Sequence, residues 1–504
     1  MNIVEPFVRQ ALADPSRPAL IVGDATVLYG QLLVYVRRLA ARLQALGVQP
    51  GDRVAVSSGA VAGDVALALA LAHIGAVSVA LDAGVPPQHY AAMVERLEVN
   101  YVIHSAAQDK EIAAPSFKSQ YRFDWLMGTA AEKPQVQIAD VAPDAVWRIV
   151  LSSGTTGLPK GIALAHRSTL LNTHLTRGLF PVDATDRLLL GMRPNLGFST
   201  HYWLRCLHVG ACVAMMPDDQ PQAALQLLHS TPVTMMVTTP ALAMGMALEA
   251  QKPGSPHGQP PAGLKRLNVG GGKLSPQLRA TLRQRICANM YVNYGAAETS
   301  GAAIADPQTQ DRHPESAGRL VPWAEAQAVD EQGQPLPPGQ EGKLRFRSPT
   351  LSAGYVGADA QQAAAFRDGW FYSSDIGMVT AHGHIVLAGR ANDVINIMGN
   401  KIDPERLEKV IMQDSAILDC VLVDVPAELG QSMLAAVVVA PNGFDQDALL
   451  ARCAAVHPTY QPRFVVKADV IPRNASGKVM RAAVRQKLIE AAEPAGGQQQ
   501  PTLH

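Results

Sequence analysis

The sequence predicts an α/β protein in two parts: a large N-terminal domain of mixed, largely parallel sheets covered by helices, and a small α+β C-terminal domain. Three observations carry this. A chain of 504 residues is too long for one compact core. Helix-like and strand-like segments alternate through most of its length, the pattern of parallel strands joined by helical crossovers. Near residue 375 the texture changes, and a separate set of strands and helices begins. With 48% hydrophobic and 17% charged residues, the chain has the composition of a globular protein.

The elements follow in order. YGQLLVYVRRLAARLQALG is an amphipathic helix stopped at Gly47, and the turn QPGD leads into the strand RVAV. Val61 to Leu81 is the most apolar stretch, but Asp64 and His73 interrupt it. Its Ala/Leu alternation suits a buried helix running into a strand, so no membrane span is expected. VSVAL, HVGACVAMM, VTMMVTTP and LKRLNVGGG continue the alternation. GWFYSSDIGMVTAHGHIVLAGR reads as two strands joined by a His-Gly turn.

Asp403 then caps a helix starting at Pro404, with Leu407, Val410 and Ile411 on its apolar face. The strands ILDCVLVDV and LAAVVVA, the helix DALLARCAAVH, a strand near FVVKADVI, the loop PRNASGK and a closing helix complete a domain of about a hundred residues. The expected division is 1–390 and 391–490, with a disordered tail over 491–504.

Lys plus Arg and Asp plus Glu both number 43, so no net field draws the protein to nucleic acid or an anionic membrane, and any anion must be held locally. The five cysteines are an odd number without zinc-type spacing, which argues against a disulfide framework or structural metal and suits a reducing cytoplasm. The N-terminal stretch lacks the basic-then-apolar pattern of a secretory signal, so a cytoplasmic location is expected.

The strongest local signal is LSSGTTGLPKG, residues 151–161, following the strand-like WRIVL. Its glycines let backbone N–H groups approach an anion. Ser152, Ser153, Thr155 and Thr156 beside Gly154 add hydroxyl donors, and Lys160 adds a positive charge. The string lacks P-loop spacing, which argues against a kinase-type or P-loop ATPase reading; the bland alternative is a surface turn.

Four further motifs follow in order: VGGGKL at 269–274, NYGAAET at 293–299, GWFYSSD at 369–375 with GRANDVI at 389–395, and PRNASGKVMR at 472–481. On these strings the chain resembles, over nearly its whole length, the superfamily of adenylate-forming enzymes: acyl-CoA synthetases, carrier-protein adenylation domains and luciferases. The resemblance implies that a carboxylic acid is activated with ATP and Mg2+ to an acyl adenylate. A mobile C-terminal domain then presents the adenylate to a thiol.

The same resemblance assigns roles. Gly270, Gly271, Gly272, Asn293, Tyr294 and Gly295 belong to the adenine and nucleotide site, Tyr294 offering a flat face to the base. Glu298 matches the magnesium carboxylate, although the Thr usual before it is Ala297 here, and Thr299 is not expected to replace it. Asp375 matches the double acceptor of the ribose hydroxyls, with Ser373 and Ser374 in place of a Thr-Gly pair, and Arg390 matches a ribose or phosphate contact. Lys478 matches the lysine bridging the attacking carboxylate and the α-phosphate. Asn392 falls at the hinge. Gly399 falls at the pantetheine tunnel, where a turn glycine is an equal reading.

By the same resemblance GMRPNLGFSTHYWLRCLHVGA crosses the acyl pocket, yet it lacks both the synthetase His and the Asp that binds an α-amino group. Asn195, Ser199, His201 and Tyr202 are its polar candidates. They suggest an uncharged pocket for an aromatic, hydroxylated or medium aliphatic acid. The expected acceptor is coenzyme A, with a carrier protein's phosphopantetheine arm as the alternative. A luciferase-like oxygenase and a weakened ATP-binding protein are the further readings.

Overall fold

The computed structural model describes residues 1–81, 87–105, 115–128, 136–151, 159–216, 220–272, 274–358, 360–390, 395–397, 400–402, 404–426, 432–441, 443–456, 461–474 and 477–492. Of the expected elements, the amphipathic helix forms as Tyr29–Ala45 and the strand after it as Arg53–Ser57. The apolar stretch splits into the helix Val61–His73 and the strand Val77–Val79. This helix is buried from Gly63 to His73, which is why its sequence is apolar on every face.

Two large sheets organise the N-terminal part. In one, Val146–Leu151, Val77–Val79, Arg53–Ser57, Tyr101–His104 and Ser119–Arg122 pair in parallel, and Gly161–Ala165 and Tyr355–Val356 add antiparallel strands at one side. In the other, Pro18–Val22, Cys212–Met215, Arg187–Gly191, Met235–Thr238, Arg266–Gly270 and Met290–Tyr294 run parallel. The sheet then continues antiparallel through Ala303–Ala305, Ser316–Leu320, His384–Arg390, Trp370–Val379, Gly342–Arg347 and Glu325–Val329. The expected hairpin of residues 370–390 therefore joins this sheet, with Asp375 directly across from Arg390.

Helix Pro404–Ile411 begins at the expected proline. Strands Asp419–Pro426, Ser432–Val439 and Phe464–Lys467 form a separate sheet. Leu407, Ile411, Leu422, Leu434, Val438 and Leu449 make its core against the helices Pro404–Ile411 and Gln446–Val456. The boundary at 390/391, the capping Asp403 and residues 493–504 of the expected tail over 491–504 lie outside the described residues, and residues 491 and 492 instead end the helix Arg481–Ala492. All five cysteines are buried and unbridged. Among the described residues no helix is long and apolar enough to cross a membrane.

Candidate active site

Among the described residues, contacts join VGGGKL to NYGAAET, NYGAAET to GWFYSSD and VGGGKL to PRNASGKVMR. Gly270 ends one strand and pairs with Asn293 on the next. A Cβ on Gly270 would lie 2.6 Å from the Phe198 ring, so glycine lets the helix Gly197–Val209 lie close against the strand end. Tyr294 donates its phenol proton to Asp375 Oδ2 at 2.8 Å. The hydroxyl of Ser373, which donates to the Leu344 carbonyl, also accepts from the Asp375 amide at 3.2 Å. A purine-sized aromatic face and a carboxylate able to accept from a diol thus meet at one place.

The segment after Gly295 turns sharply. Thr299 Oγ1 donates to the Ala296 carbonyl and accepts from the Ala296 amide, both at 3.0 Å, so its hydroxyl holds the turn. The small side chain of Ala297 faces the helix start at Gly197, where an added Cβ would lie 2.8 Å from the Ala297 Cβ. The departure from Thr at 297 therefore coincides with close helix packing.

Glu298 is buried and accepts from the Tyr355 hydroxyl at 2.7 Å. Lys160 Nζ lies 4.9 Å from the centre of the same ring. Burial, with the neighbouring Glu298 carboxylate second, pushes the Tyr355 phenol well above its ordinary range, so it stays a proton donor at neutral pH. Tyr355 was not legible as a site residue. Its only local signal is that it follows Gly354 in a loop, and the contact with Glu298 comes from a distant part of the chain. Among the described residues no cluster of three or more His, Cys, Asp or Glu could cage a metal. Glu298 alone suits a hard cation that brings most of its ligands with a polyphosphate.

Lys478 stands in a tight hairpin. Its amide donates to Asn474 Oδ1 at 3.0 Å, and its carbonyl accepts from the Asn474 amide at 2.8 Å. Arg473 clamps the same turn, donating to the Gly477 carbonyl at 3.0 Å and to Asp419 Oδ2 at 2.7 Å. Gly477 has φ +83°, and its carbonyl lies 2.9 Å from where a Cβ on Gly272 would sit. The lysine loop therefore rests on the glycine-rich segment, and a side chain at 272 would part them, while one at 477 would meet Pro240 at 2.8 Å.

The pocket candidates divide. His201 and Tyr202 line a small cavity of about 40 Å³, together with Phe180, Phe198, Arg205, Asn293 and other residues. Burial first, then Arg205, pushes the His201 imidazole down to about 3, so it is neutral. Ser199 instead gives its hydroxyl to the carbonyls of Arg193 and Leu196, at 2.6 and 2.9 Å. Asn195 bridges Asp64, at 2.9 Å, and the fully buried Arg148, at 3.2 Å. The lining carries a charge where an uncharged pocket was expected: Arg205, one turn beyond His201 on the same helix. The i, i+4 spacing was the available signal.

Ser152, Ser153, Gly154, Thr155, Thr156, Asn392 and Gly399 lie outside the described residues, as does the side chain of Arg390. Lys160 is described at the exit of the first of these segments, where it enters the strand Gly161–Ala165.

The profile of a family described as AMP-binding enzyme matches residues 7–356. The 3-hydroxybenzoate–CoA ligase of Aromatoleum sp. (strain CIB) is 28% identical, over 97% of this chain and 96% of that protein. The salicyl-AMP ligase / salicyl-S-ArCP synthetase of Mycobacterium tuberculosis is 29% identical, over 96% of this chain and 89% of that protein. The o-succinylbenzoate coenzyme A synthetase of Bacillus subtilis, solved with ATP and magnesium ion, superposes with a TM-score of 0.81 at 22% identity. That match covers 95% of this chain and 98% of the other.

Proposed function

The chain belongs to the AMP-binding enzyme family, and from that premise we propose that it is an AMP-forming acid–thiol ligase whose acceptor is coenzyme A. The observation that carries the reading is the convergence of Tyr294 on Asp375, Tyr355 on Glu298, and the Lys478 loop on Gly272. Elements far apart in sequence supply these contacts, and each brings a residue type that adenylation chemistry uses.

In the first half-reaction a carboxylate oxygen of the acid attacks the α-phosphorus of ATP. The bond from that phosphorus to the bridging oxygen breaks, and pyrophosphate leaves. Asp375 holds the ribose, Lys160 and the preceding hydroxyl-rich loop hold the phosphates, and Lys478 neutralises charge as it builds on the α-phosphate. Glu298, oriented by Tyr355, would hold a magnesium ion that neutralises the departing polyphosphate. In the second half-reaction the thiol sulfur attacks the acyl carbon, AMP leaves, and the thiol proton passes to solvent.

For this second step we take residues 391–490 as a domain that moves about a hinge at Asn392, so that Gly399 replaces the Lys478 loop at the site. The relatives that ligate aromatic acids to coenzyme A along nearly their full length support the acceptor. A relative acting on a carrier protein keeps the phosphopantetheine arm as the second reading. The absence of a membrane-spanning helix among the described residues suits a reaction in the cytoplasm.

The test is pyrophosphate release across aromatic, hydroxy, amino and aliphatic acids, with and without coenzyme A. Acid-dependent release that coenzyme A accelerates, with thioester accumulating, is the expected result. Release indifferent to coenzyme A would transfer the reading to a carrier protein. No release with any acid would overturn it.

A further inference from the structure

Arg205 is 3% exposed, and its Nε and Nη1 have no hydrogen-bond partner. Among the described residues no carboxylate pairs with it. Arg148, the other deeply buried arginine of this region, shows the contrast, because Asn195, Ser78 and the Pro194 carbonyl surround it and Asp64 lies on the far side of Asn195. Arg205 instead has aromatic neighbours: its Cζ is 5.1 Å from the Tyr202 ring centre and 5.7 Å from that of Phe180. Ring faces attract the cation but leave N–H bonds at the guanidinium edge unsatisfied. A buried guanidinium with two nitrogens lacking an acceptor is costly, and a natural remedy is a ligand that supplies one.

The rest of the cavity points the same way. Among its lining residues Asn293 Nδ2 and Trp323 Nε1 are also buried donors without partners, and both nitrogens of His201 are unpartnered. Neutral His201 supplies one donor and one acceptor, and the other unpartnered acceptor is Asn172 Oδ1, so N–H donors still outnumber acceptors. The lining therefore asks for oxygen acceptors and for negative charge. The cavity also adjoins the reaction site, since Asn293 precedes Tyr294 and Ser300 follows the Glu298 turn.

Resting on the ligase reading, we propose that the substrate is a dicarboxylic acid: one carboxylate is adenylated, and Arg205 binds the second in this cavity. The cavity of about 40 Å³ is close to one water's share of liquid, so Phe198 and Tyr202, which pack edge to face at 5.1 Å, must shift as the distal carboxylate enters.

The test compares each dicarboxylate with its own monoamide, from glutarate through adipate to isophthalate and terephthalate, with simple hydroxybenzoates alongside. Pyrophosphate release by the full chain is the readout. The monoamide keeps size and shape while removing the second charge, so the best dicarboxylate should exceed its monoamide by about 100-fold or more in kcat/KM. Arg205→Met, which keeps an unbranched apolar stem, should lower the dicarboxylate to the level of its monoamide. Arg205→Lys should retain part of the preference, a pattern that a merely structural role would not produce. A monoamide, hydroxybenzoate or unsubstituted acid that outperforms every dicarboxylate on the wild-type protein overturns the inference while leaving the ligase reading intact. Equal losses for both members of a pair in Arg205→Met also overturn it. No release with any acid removes the ligase reading and this inference together.

Discussion

Lys478 is held by backbone and side-chain hydrogen bonds that do not depend on its own ammonium group, so its replacement probes chemistry more than folding. Lys478→Ala should slow adenylate formation by about 100-fold or more, as expected when a charge-stabilising contact to a transition state is lost. Thioester formation from supplied adenylate should persist, and equal losses in the two half-reactions would remove the assignment. Asp375→Ala should act mainly on nucleotide binding, raising the KM for ATP about tenfold or more as a charge-assisted double acceptor is lost. An unchanged KM would count against the ribose role. Residues of this kind were legible because each sits in a contiguous string. Tyr355 and Arg205 were not, since what gives them meaning is a neighbour brought in by the fold: Glu298 for one, an aromatic cavity for the other.

The hairpin carrying Lys478 behaves as a small device of its own. Asn474 contributes a side-chain acceptor as well as two backbone bonds, and only the side-chain part is lost in Asn474→Ala. The variant should lower kcat for adenylation about 3- to 10-fold, the scale of one hydrogen bond, with little change in the KM for ATP. Asn474→Asp, which keeps the acceptor, should recover most of it; failure of both variants alike would make the residue structural only. The helix Gly197–Val209 shows the other side of element-level reading. The resemblance implied that it crosses the acyl pocket; Ser199 and His201, adjacent to the eye in a polar string, project to different surroundings: one to backbone carbonyls, the other to the cavity. Helical phase decides that, and a string of nearly uniform burial on all faces hides it.

For the molecule as a whole, the buried imidazoles of His166, His201 and His208, with His73 displaced in the same direction by burial, contribute to the response to acid. Burial pushes His166 down to about 4, and His201 and His208 to about 3, from an ordinary value of 6.5. The unfolded chain takes up protons at these residues near pH 6.5, while the folded chain does not. Stability from this source is therefore complete above about pH 6.5 and declines as pH falls toward 4. Urea midpoints at pH 7.5 and 5 should show that decline. His208→Gln, which can still donate to the Ile3 carbonyl, should reduce it, and an unaltered pH dependence would rule out His208 as a contributor. The alternating parallel architecture was legible at this scale, as was the small sheet near the C-terminus. Of the antiparallel extension of the large sheet only the hairpin of residues 370–390 was, because the other strands between 303 and 347 repeat no sequence period that names their partners. Phe198, His201, Tyr202 and Arg205 line the cavity at successive helical turns, while the lysine hairpin, Asp375 and Glu298 are supplied by other segments. Because Phe198 also packs on Gly270 and Tyr202 donates to Asn293, a combinatorial library confined to the His201 and Arg205 codons would sample new acids with the least disturbance of the neighbouring strand ends.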